Sequence, residues 1–199
     1  KVARNAGFDN FRDYKFVSLG RFDYTIEDNL AFHESIREEL VPVLKEIHRN
    51  RKNELGVDSL RPYDLNVDPS GKPPLQPFEE TSELIDGSIN VFDRLGGLGF
   101  YLKTMKENSY LDLGSRKGKA PGGYNYPLSE TGVPFIFMNA SGRLRDLVTM
   151  LHEGGHAVHS FLSRDLDLVY FKHTPSEVAE LASMSMELMT MEYWDGFFK

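Results

Sequence analysis

Two histidines separated by three residues, in a run with the apolar rhythm of a helix, restrict this chain more than any other feature. They are the outer members of His152-Glu153-Gly154-Gly155-His156. Leu144, Leu147, Val148, Leu151, Val158 and Leu162 recur at helical spacing around them, so residues 147–161 are expected in one helix with that stripe buried. Positions four apart on a helix differ by about 40° around its axis and about 6 Å along it. Both imidazoles can therefore reach one ion, and Glu153 leans over the same point. Gly154 and Gly155 together cost about 2 kcal/mol of helix propensity against alanine. Some neighbour, a strand or a substrate, is expected to come close there.

A metal held this way would be zinc. The chain has no cysteine, so its ligands must be nitrogen and oxygen. A catalytic zinc takes three protein ligands and keeps one position open, and two histidines four apart with an adjacent glutamate are the helical signature of peptide-bond hydrolysis by zinc. The remaining composition is that of a soluble globular protein. Net charge is −7 with no basic block, which argues against nucleic acid, and no apolar run reaches membrane-spanning length. A cytoplasmic protein without a membrane partner is expected.

Helices dominate the first 110 residues. Phe8, Phe11, Tyr14 and Phe16 are spaced for a short helix closed by Gly20. Thr25-Ile26-Glu27-Asp28 has the form of a capping box, with Asp in place of Glu. A long helix follows, with Ile26, Leu30, Ile36, Leu40, Val43, Leu44 and Ile47 on one stripe. Pro42 should kink or divide it, and Gly56 should end it. His33 and His48 on this helix read as structural or surface residues. Six prolines and glycines between Pro62 and Pro77 exclude a long helix there. Residues 81–95 and 98–108 read as two helices parted by Gly96-Gly97.

Residues 111–199 are expected to carry a loop, an edge strand and two ligand-bearing helices. The loop, 111–126, is glycine-rich and basic, without a Walker pattern. Val133-Pro134-Phe135-Ile136-Phe137-Met138-Asn139 reads as a strand, and Pro134 near its start suggests a sheet edge able to pair with an extended peptide. Asn139 or Ser141 would cap the helix carrying the two histidines. Thr174-Pro175-Ser176-Glu177 opens a further helix, with Thr at N-cap, Pro at N1 and Glu at N3. Its inward face is expected from Val178, Leu181, Ala182, Ser185, Leu188 and Met189. The terminal cluster around Tyr193, Trp194, Phe197 and Phe198 needs a surface to pack on, so the chain reads as an internal segment of a longer protein, with the rest of the parent polypeptide packed against it.

The third ligand should come from the last helix or the loop before it. His173, Glu177, Glu180 and Glu187 are the candidates. Glu177 is occupied by the capping box, Glu187 lies two turns on and could orient a ligand, and His173 could touch substrate. Glu180, one turn into the helix on a polar face, is preferred. His152, His156 and Glu180 would hold the zinc, with Glu153 as general base. Substrate contacts are expected from Gly123, Tyr124, Phe135, Phe137, Asn139 and His159, although a packed or surface role is the favoured reading of His159. Tyr124 and Tyr126 are the candidate oxyanion donors.

These runs, from Phe135 to Ala140, from Asp146 to His159 and from Glu177 to Glu187, resemble the thimet oligopeptidase/oligoendopeptidase F family, and the bacterial oligoendopeptidase F-like branch in particular. Arg116 to Tyr124 and Leu60 to Asp64 are similar as well. The resemblance implies a mainly α protein with a small β-sheet, a zincin-like metallopeptidase catalytic domain fragment that cuts short peptides. It implies zinc ligands at His152, His156 and Glu180 and a base at Glu153. It also implies transition-state-stabilising histidine and tyrosine residues beyond the third ligand, outside this sequence. The competing expectation is a catalytically incomplete metal-binding or interaction domain on the same scaffold.

Overall fold

In a computed structural model that describes residues 1–198, the chain divides into two compact units, Lys1–Pro74 and Leu75–Lys199. The division falls inside the proline-rich stretch. The helices after residue 75 therefore group with the loop, strands and helices that follow them.

The first unit is helical: α1 (Val2–Asn5), α2 (Phe11–Ser18), α3 (Ile26–Ser35) and α4 (Val41–Leu55). The Thr25 box forms as expected. Asp28 N–H reaches the Thr25 hydroxyl at 3.1 Å and the Asp28 carboxylate accepts from Thr25 N–H at 2.8 Å. Pro42 does divide the long helix. Its missing N–H and its ring forbid an ordinary turn before it, and residues Ile36–Leu40 widen into a π turn that ends where α4 begins. Gly56 closes α4 in the left-handed region at φ 64°. The stripe of Leu30, Leu40, Val43, Leu44 and Ile47 is exposed rather than buried.

The second unit holds α5 (Thr81–Arg94), α6 (Gly99–Glu107), β1 (Leu111–Gly114), β2 (Tyr124–Tyr126), β3 (Phe135–Ala140), α7 (Leu144–Ser163) and α8 (Ser176–Met189). The sheet order is β1-β3-β2, with β1 parallel and β2 antiparallel to β3. This corrects the expected edge strand, because β3 is central. Pro134 lies one residue before β3 and leaves both edges of 135–140 able to pair. The loop of 111–126 also carries a strand at each end.

The core lies between the sheet, α5, α6 and α7. Leu84, Phe92, Leu102, Met105, Ile136, Met138, Leu147, Met150 and Leu151 are all within 2% of full burial. The C-terminal aromatics close on the same unit: Phe197 is buried with its ring over Gly87, and Arg94 lies 5.0 Å above Tyr193. No helix among the described residues is long and apolar enough to cross a membrane.

Candidate metal centre

α7 is placed at its start by a carboxylate. Asp146 accepts from the N–H groups of Ser141 at 2.8 Å and Arg143 at 3.0 Å. Neither Asn139 nor Ser141 is the cap. Gly142, at φ 90° and with Phe78 O 3.0 Å from where a Cβ would stand, lets the chain turn sharply from β3 into α7. The helix then buries Leu147, Met150, Leu151, Gly154, Ala157, Val158 and Phe161, whereas Leu162 is exposed.

The neighbours drawn in by Gly154 and Gly155 are helices, not a strand or a substrate. A Cβ on Gly154 would lie 2.9 Å from the Phe92 ring of α5. One on Gly155 would lie 3.1 Å from Ser183 Cα and 2.9 Å from Met186 Cγ of α8. The second contact sets the site, because Ser183 is one turn past Glu180. With α8 this close, the Glu180 carboxylate comes within 3.3 Å of His152 Nε2 and 3.5 Å of His156 Nε2. Two donors bound tetrahedrally at about 2.0–2.1 Å stand about 3.3 Å apart. His152, His156 and Glu180 could hold a metal ion, their donor atoms all lying within 4.8 Å of one another.

Glu187 completes this arrangement from behind. Its Oε1 is 2.7 Å from His152 Nδ1. A carboxylate only accepts, so the imidazole proton belongs on Nδ1 and the Nε2 lone pair is turned toward Glu180 and His156. Burial lowers the pKa of His156, and the charge of His152 adds to this. The neutral, metal-ligating form of that ring is the favoured one.

Glu153 is 7% exposed on the next position of the same helix. Burial pushes its carboxyl up, while the charge of His152 and a hydrogen bond from the Asn125 backbone pull the other way. Its Oε2 has no hydrogen-bond partner among the described residues. A buried carboxylate oxygen left open costs about 1–3 kcal/mol.

The start of α8 differs from the expected box. The helix begins at Ser176 with Pro175 at the N-cap, and no side chain caps it. The capping argument against Glu177 therefore falls away, and Glu180 stands out by its distances alone. The packed face of α8 also differs. Val178, Leu181, Leu188 and Met189 are 48–71% exposed, and Ser183 and Thr190 are the buried positions.

Strand alternation separates the remaining predicted residues. Ile136, Met138 and Ala140 belong to the core. Phe135, Phe137 and Asn139 point to the opposite face of the sheet. There Tyr124 stacks on Phe137 at 5.0 Å, and Asn139 Nδ2 donates to the carbonyls of Ala120 at 2.8 Å and Gly122 at 2.9 Å. Tyr126, paired with Phe135, alternates with Asn125 on that face too. The structure thus does not bring these side chains to the histidines. Gly123 sits close to α7, where its Cβ would meet Thr149 at 3.3 Å. His159 and His173 line a cavity together with His156.

Two residues of this sheet region went unread in the sequence. Asn125 reaches α7 through its side chain, donating to Ser160 Oγ at 3.3 Å. Lys119, in the glycine-rich basic loop, is a buried strut with 1% of its side chain exposed. It donates to the carbonyls of Asp112 and Gly114 at 2.8 and 2.9 Å and lies 4.4 Å over the Phe137 ring. Arg116, and then Lys119, hold the Asp112 carboxyl at about 2. The one signal for Asn125 is its place between two tyrosines, the aromatic alternation of a short strand.

Known proteins share this arrangement's sequence and fold. The sequence pattern of peptidase family M3 matches residues 1–199. Oligopeptidase PepF of Bacillus subtilis is 30% identical over 172 residues, 84% of this chain and 24% of its own length. An oligoendopeptidase F homolog of Borreliella burgdorferi is 30% identical over 201 residues, 96% of this chain and 32% of its own length. PZ peptidase A, solved with an inhibitor, superposes with a TM-score of 0.92 at 31% identity, over 99% of this chain and 35% of that one. The chain thus spans a quarter to a third of the length of these relatives. A match along the whole sequence, carried by relatives alike in sequence and in fold, puts this chain in peptidase family M3.

Proposed function

We propose that this segment carries the metal centre of a zinc-dependent endopeptidase acting on short peptides. The single observation behind this reading is the juxtaposition of three donors within 4.8 Å of one another with a buried carboxylate that has an oxygen without a partner among the described residues. His152, His156 and Glu180 would hold the zinc, and Glu187 would fix the His152 ring. Bound zinc supplies Lewis acidity, which polarises a carbonyl and makes water acidic enough to lose a proton near neutral pH. Glu153 Oε2 takes that proton as the water attacks the peptide carbonyl, holds it in a site screened from solvent, and returns it to the leaving amine.

Peptide recognition fits the sheet. β2 is an edge strand, and its residue Asn125 offers a backbone N–H to Glu153 itself. An extended peptide added along that edge would run past the metal centre, held through main-chain hydrogen bonds with little demand on side chains. The names of the relatives, oligopeptidase and oligoendopeptidase F, agree with a peptide substrate.

The test is zinc content together with hydrolysis of an internally quenched peptide, in the full polypeptide that carries this segment. One zinc per chain and hydrolysis are expected. Glu153→Gln should keep the zinc and lose about 10²–10⁴-fold in kcat. Stoichiometric zinc without hydrolysis would favour the metal-binding scaffold, and no bound metal would sink both readings.

A further inference from the structure

A cavity of about 230 Å³ lies against the metal centre. His156 forms part of its wall, followed by His159 and Ser160 on α7. Asn125 closes it on β2, and Lys172 and His173 close it in the turn before α8. A second cavity shares Ser160, Lys172 and His173 and adds Arg164. No Asp or Glu lines either of them, although the chain as a whole carries a net charge of −7. Lys172 and Arg164 are the charged side chains of these walls, Arg164 lying 3.5 Å from Asp165 at the rim, and a concave surface that carries cations focuses its field on a bound anion.

Donors and acceptors in this wall are incompletely used. Among the described residues, Lys172 Nζ gives one hydrogen bond, to Arg164 O at 2.6 Å. An ammonium has three donors, so two remain. Ser160 Oγ is committed at both ends, donating to His156 O at 2.9 Å and accepting from Asn125 Nδ2 at 3.3 Å. Asn125 Oδ1 is buried with no partner among the described residues. The wall therefore includes an ammonium with unused donors and, in Asn125, an amide oxygen without a partner, which together complement a peptide unit carrying a carboxylate.

We infer that this cavity is a carboxylate subsite for the peptide being cut, an inference that rests on the peptidase reading above. Lys172, with His173 beside it, binds the carboxylate. Asn125 Oδ1 accepts a backbone N–H of the same peptide. Because His156 belongs to both the metal centre and the cavity wall, the carboxylate lies close to the scissile bond. It is supplied either by the peptide's C-terminus or by an acidic side chain.

Four labelled peptides of one sequence separate these sources: free or amidated C-terminus, combined with Glu or Gln at the position beside the cleavage point. They are titrated by fluorescence anisotropy into the zinc-loaded full polypeptide carrying Glu153→Gln, which binds without cutting. At least one carboxylate-bearing peptide should bind about ten-fold tighter than its neutral match. Lys172→Gln should erase the difference, Lys172→Arg should restore most of it, and the affinity of the neutral peptide should change less than about two-fold. A free-acid preference identifies the C-terminus as the source, and a Glu-over-Gln preference identifies a side chain. Equal affinity for all four peptides overturns the inference, as does a preference that survives Lys172→Gln combined with His173→Gln. Hydrolysis of the neutral peptide by the unsubstituted enzyme is scored separately. Its absence defeats the peptidase reading and leaves the binding comparison standing.

Discussion

α7 and α8 are neighbouring helices that build one site by opposite use of their faces. α7 buries its apolar stripe, with Leu147, Leu151, Ala157 and Val158 in the core, and its histidines sit at the rim of that stripe. α8 turns its large apolar residues outward and packs small and polar ones inward: Ser183 is buried, and Glu187 reaches the His152 ring. The difference follows from what each helix must deliver. A helix that contributes imidazoles can bury leucines beside them. One that contributes two carboxylates has to turn its carboxylate face toward the partner helix, and small residues between those carboxylates let the backbones approach.

The sharpest way to break this comparison is to change adjacent residues of α8. Glu180→Ala should reduce zinc affinity by more than about 100-fold, beyond the 10–100-fold expected for a partner that only orients a ligand. Leu181→Gln, on the exposed face next to it, should leave zinc affinity within about two-fold, since surface changes of this kind stay near ±0.5 kcal/mol. Competition with a chelating dye measures both. Equal effects would mean that the two faces are not divided as described. Glu187→Ala belongs between them. It frees the His152 ring without removing a ligand, so a loss of about 10–100-fold is expected.

The glycine pair tests the spacing between the helices. Gly155→Ala gains about 1 kcal/mol of helix propensity. Its Cβ meets the Ser183 backbone at 3.1 Å, which cannot give way as a side-chain tip can. Overpacking costs about 1–3 kcal/mol, so the net effect is a destabilisation of up to about 2 kcal/mol, with weaker zinc binding as α8 moves off. Gly154→Ala presses on the Phe92 ring of α5 instead. It should cost a similar amount in thermal unfolding and leave zinc affinity unchanged. A loss of zinc affinity in Gly154→Ala would show that the two contacts are not separable.

These helices also mark what sequence can show. The period of α7 is legible because hydrophobic burial and the helical repeat point the same way there. In α8 they conflict: Val178, Leu181 and Leu188 carry the stronger apolar signal, and the close contact of Ser183 with Gly155 decides the packing. Thr174 failed as a cap for a related reason. Its box is a local preference of about 1 kcal/mol, small enough for the docking of α8 on α7 to override. The pairing of His152 with His156 was legible from spacing within α7, whereas Glu180, which lies within 4.8 Å of both, was preferred on a capping box that does not form. Lys119 and Asn125 were not legible, because their roles arise from strand register, and strands of three and four residues leave too short a pattern to fix it. Pro134 misled for lack of one residue: inside β3 it would have meant an edge, but one position earlier it constrains nothing.

The smallest expected effect concerns Glu153 without metal. Its carboxyl is pushed up by burial, and Oε2 has no partner. A carboxyl whose folded pKa is raised favours folding below its ordinary value of 4.5 and loses that contribution as pH rises through the folded value. The ionised group is therefore a cost at neutral pH. Glu153→Gln keeps the shape and removes the charge, so the metal-free variant should be more stable than its parent at pH 7 by about 1 kcal/mol. The gain should shrink as pH falls toward 4.5. Thermal unfolding of both proteins between pH 4 and 8, with chelator present, measures it. A Gln variant less stable at pH 7 would mean that the hydrogen bond from Asn125 outweighs burial, and that the carboxylate is held ionised rather than poised to take a proton.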